Sequence, residues 1–115
     1  MSGSFGEGLP GIAAPANPAR GEASVRVAGV ELVLRPSFAA LVAAEGELGP
    51  LFALVERAAE GRLSLGEVAG LFWHCLAERP AGLTREAFSE GLAAAGLKAA
   101  AGPLGVLLRQ ILAGR

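Results

Sequence analysis

The sequence predicts an α+β fold, mainly α: an N-terminal β-hairpin followed by four to five short helices in a compact bundle. Three observations carry this expectation. Between residues 22 and 35 the hydrophobic pattern has period two, with Gly29 dividing it into two runs. Beyond residue 36 each apolar run has helical spacing and is bounded by a capping or breaking residue. The 52% hydrophobic content is mostly Ala, Leu and Val, with five Phe, one Trp and no Tyr, which suits closely packed helices.

Residues 1–20 carry Gly3, Gly6, Gly8, Pro10, Gly11, Pro15 and Pro18 and no periodic apolar pattern. Such a segment buries too little surface to offset its ordering entropy, so it reads as a disordered Gly/Pro-rich tail. Residues 21–115 then form a single hairpin-plus-helices domain, close to the common domain size. In the hairpin Val25 and Val27 flank Arg26, and Val30, Leu32 and Leu34 alternate with Glu31, Val33 and Arg35. Gly29 supplies the turn. An isolated hairpin is marginal in water, so its apolar face needs a helical layer.

Pro36-Ser37 ends the strand and offers an N-cap to a helix carrying Phe38, Leu41 and Val42 through to Glu45. Gly46, Gly49 and Pro50 are expected to break it. The second helix begins at Pro50 with Leu51, Leu54, Val55 and Ala58 on one face, and Gly61 stops it. Ser64-Leu65-Gly66-Glu67 then reads as a capping box, in which hydroxyl and carboxylate satisfy orphan backbone N–H groups. The third helix, expected over residues 64–78, is apolar over most of its girth. Glu67, Gly70, His74 and Glu78 form its narrow polar stripe, and Arg79-Pro80 ends it. Thr84 caps a fourth helix anchored by Phe88 and Leu92, with Arg85, Glu86, Ser89 and Glu90 outward. Gly102-Pro103 is expected to open a fifth, with Leu104, Leu107, Leu108, Ile111 and Leu112 inward.

Charge and composition exclude several functional classes. The net charge is −1 and the basic residues are dispersed, which argues against nucleic acid as a direct partner. No charge-free apolar run approaches the ~18 residues of a membrane helix, and the N-terminus lacks a secretory n-region. A single cysteine allows no intrachain disulfide. Together these lead us to expect a soluble, cytoplasmic chain.

Two places imitate a chemical site. His74-Cys75 is the first, but adjacent helical residues diverge by about 100° and cannot pair as nucleophile and base. His74 is expected to be exposed with Glu78 one turn on, and Cys75 to behave as a small hydrophobe. The second is residues 56–67, which resemble a calcium loop with Gly61 at position six and Glu67 at twelve. Glu56 stands at position one, where a shorter Asp is needed, and Ala58 at position three has no side-chain oxygen. No phosphate-binding glycine motif or nucleophile elbow is present. The expectation is therefore no catalytic residue, cofactor or metal, and a chain that acts by binding proteins. Leu71, Phe72, Trp73 and Leu76 are the candidate partner-binding residues, since a helix apolar nearly all round lies either in the core or at an interface.

The stretch Gly29-Val30-Glu31-Leu32-Val33-Leu34-Arg35-Pro36-Ser37-Phe38-Ala39-Ala40-Leu41 with Glu45, and the stretch Ala59-Glu60-Gly61-Arg62-Leu63-Ser64-Leu65 running on to Val68 and Leu71, carry a family resemblance. Both resemble the small tail proteins of gene transfer agents and related prophages, in the phage tail assembly chaperone group, some of whose members are labelled tail tube proteins. The resemblance covers residues 22–76 well and the C-terminal third more loosely. It implies a non-enzymatic tail assembly chaperone that binds the tape-measure protein during tail morphogenesis, with other tail proteins as further partners and a homo-oligomer left open. A structural, tail tube-associated subunit is the alternative it implies. An unrelated small regulatory interaction domain is the third reading.

Overall fold

The computed structural model describes residues 15–17 and 21–113. Two strands, β1 (Ala23–Val27) and β2 (Val30–Leu34), precede five helices: α1 (Phe38–Leu48), α2 (Leu51–Ala59), α3 (Leu65–Cys75), α4 (Arg85–Ala95) and α5 (Leu97–Ala113). The α+β architecture expected from the sequence is present. The disordered tail expected over residues 1–20 lies outside the described residues, apart from 15–17.

The strands pair antiparallel with Val25 opposite Leu32 and Val27 opposite Val30. The two residues left between them, Ala28 and Gly29, have φ of 53° and 80°. Two successive residues at positive φ match the right-handed twist of the flanking strands, as the favoured two-residue hairpin turn requires. Ala23, Val25, Val27, Leu32 and Leu34 are buried, and β1 lies against α4 and α5. That approach is close because Gly91 of α4 has no side chain. A Cβ there would lie 2.4 Å from Val27 Cγ1.

Around the hairpin the helices enclose one core, centred on Leu34, Leu54, Leu71, Phe72, Phe88, Leu92 and Leu107. The longest helix–helix seam is between α1 and α3. Local chemistry sets the starts of three helices. Ser37 accepts from Ala40 N–H, Thr84 from Ala87 N–H, and Ser64 and Glu67 form the reciprocal capping box ahead of α3.

Three boundaries differ from the sequence expectation. Gly46 does not break α1, which continues to Leu48 and ends at Gly49 with φ 87°. The third helix stops at Cys75, three residues before Glu78, because the chain there turns into the sheet. Arg35 N–H donates to the Cys75 carbonyl at 2.6 Å, Ala77 N–H donates to the Val33 carbonyl at 2.9 Å, and Leu76 bridges Leu34. These long-range backbone bonds outweigh continuation of the helix. The last helix begins at Leu97 rather than Pro103, so Pro103 lies inside it. Lys98-Ala99-Ala100-Ala101 favours helix strongly enough to extend it backwards, with Gly96 at φ 94° turning the chain out of α4. The proline leaves the Ala99 carbonyl without an i+4 donor.

Candidate protein-interaction surface

The thin polar stripe of α3 is a seam that holds its neighbours. Glu67 accepts from Ser64 N–H at 2.9 Å and from the Arg57 guanidinium of α2. The Ser64 backbone bond, then Arg57, holds this carboxyl below its ordinary value. One turn on, Gly70 leaves space for a bidentate pair between Glu47 of α1 and Arg85 of α4. A Cβ on residue 70 would lie 2.9 Å from Arg85 Nη2 and 3.2 Å from Glu47 Oε2. A turn further, His74 Nε2 lies 2.8 Å from Glu47 Oε1. Hydrogen bonds from Arg85 and then His74 bring the Glu47 carboxyl down to about 2, and the same contact raises the Arg85 guanidinium.

This corrects the expectation for His74. Its side chain is only 19% exposed and its partner is Glu47. The expected i+4 partner Glu78 lies beyond the end of α3, so the helical spacing that would join them does not exist. Cys75 faces the core on the other side, fully buried, and desolvation pushes its thiol up to about 12. In residues 56–67 the chain forms the end of α2, a turn and the capping box, with both Glu67 oxygens engaged inside the protein. Among the described residues no group of three or more His, Cys, Asp or Glu side chains is placed to hold a metal.

The four candidate partner-binding residues separate by depth. Leu71 and Phe72 have 0% exposure and Leu76 is buried at 8%, so the structure places these three in the chain's own core. The physical reason is the number of faces α3 presents: α1 and α4 both pack on it, and its C-terminus joins the sheet. Trp73 is half-buried. Its ring meets Phe88 with centroids 5.8 Å apart, and the Arg79 guanidinium lies over it at 4.4 Å, also donating to the Trp73 carbonyl.

Among the described residues the exposed apolar surface lies elsewhere. Phe38 is 85% exposed and Val42 is 51% exposed, four residues apart on one face of α1, with Ala39, Ala43 and Gly46 exposed beside them. The helix turns Ala44 fully inward and Ala40, Leu41 and Leu48 partly so, while its outward side carries Phe38, Ala39, Val42 and Ala43 together with the exposed Glu45. A signal for this was present: residues 38–44 are seven consecutive apolar residues, more than one buried face can use. Beside this face lies a hollow of about 510 Å³, floored by Ala39, Ala40, Ala43 and Ala77, with Arg35, His74 and Arg79 at its edge. A second apolar hollow, of about 230 Å³, lies between α2 and α5 and includes the exposed Leu97.

Among the described residues no single helix is long and apolar enough to cross a membrane. No curated protein and no solved structure matches the chain significantly. A family model described as "Phage tail tube protein, GTA-gp10" matches residues 20–114, which takes in the hairpin and all five helices. The chain therefore belongs to the GTA-gp10 phage tail tube protein family and is a tail-related protein of a phage or gene transfer agent.

Proposed function

We propose that this chain is a tail assembly chaperone: a non-catalytic, cytoplasmic binding protein that holds the tape-measure protein during tail morphogenesis. The observation that carries the reading is the apolar face of α1 left exposed among the described residues, where the strands are few and short. Tube walls built by strand pairing need long free edges. Here each strand has five residues, and the edge of β2 already receives Cys75–Ala77 backbone at Val33 and Arg35. A helical surface displaying Phe38 and Val42 is suited instead to covering an apolar segment of another protein.

Co-expression with the tape-measure protein of the same phage or gene transfer agent tests the reading. The soluble yield of that protein should rise and the two should co-purify. Unchanged yield with no co-purification would remove the chaperone role. A structural, tail tube-associated subunit is the second reading, favoured by the family's own description. It requires the chain to be present in finished particles in proportion to the tube rings.

A further inference from the structure

We draw no further inference here: the strongest candidate, the exposed apolar face of α1 formed by Phe38 and Val42 with the hollow beside it, carries nothing because nothing in the structure shows what covers it.

Discussion

Truncating Phe72 separates a core role from an interface role for α3. The ring is fully buried among the central core residues, so Phe72→Ala removes its transfer energy and leaves a cavity that close-packed neighbours fill only in part. Substitutions of this kind cost about 3–5 kcal/mol. A domain spanning residues 21–113 has roughly 5–14 kcal/mol in total, at 0.05–0.15 kcal/mol per residue. The variant should therefore retain a marginal fold at best. At about 4–8 °C per kcal/mol, its melting temperature should fall by roughly 12–40 °C. Phe38→Ala is the matched control. It removes the same ring from an 85% exposed site and should change stability by no more than about 0.5 kcal/mol. Thermal melts followed by far-UV circular dichroism, with urea titrations for the free energies, measure both. A fall of less than 5 °C for Phe72→Ala, or equal effects of the two substitutions, would refute the assignment of α3 to the core and of α1 to the surface.

Three further outcomes follow from the polar seam and the last helix. Gly70→Ala should gain nearly 1 kcal/mol of helix propensity but displace the Arg85–Glu47 pair, so its net effect in the native background should be close to zero. In an Arg85→Ala background the same substitution should stabilise by about 0.5–1 kcal/mol, and a double-mutant cycle showing no coupling would contradict the close approach. Glu47 has a depressed carboxyl, so its contribution is fully present above pH 4.5 and is lost as pH falls from 4.5 towards 2. The group is 37% exposed and partly screened by solvent, so the loss should be about 1 kcal/mol, read as the excess acid destabilisation of the native chain over Glu47→Gln. Pro103→Ala should stabilise by about 1 kcal/mol or more if α5 runs unbroken from Leu97, because it restores a donor to the Ala99 carbonyl. A neutral or destabilising result in urea titration would mean that the helix starts at the proline.

The parts of the fold legible in the sequence are those that neighbouring residues decide among themselves. The period-two pattern around Gly29 placed both strands, and Ser37, Ser64 and Thr84 placed three helix starts, because a cap is a bond between residues three apart. Ala28 escaped notice as half of the turn, since alanine gives no sign of positive φ. What was not legible depends on distant contacts. The end of α3 is set by pairing of Cys75–Ala77 backbone with β2, some forty residues earlier. Nor does the stripe Glu67, Gly70, His74 name Arg57, Glu47 or Arg85 as its partners. For the binding surface, sequence favoured α3 because it is apolar nearly all round, whereas three surrounding elements consume that girth. In α1 the run Phe38 to Ala44 carried the same excess with only one side covered.

The most direct test of the chaperone assignment is quantitative mass spectrometry of purified tail particles alongside the producing cell lysate. A chaperone should be found in the lysate and be absent from finished particles, as a factor released once the tail is built. Recovery from particles in a fixed ratio to the tail tube rings would contradict it and make the chain a structural tail subunit.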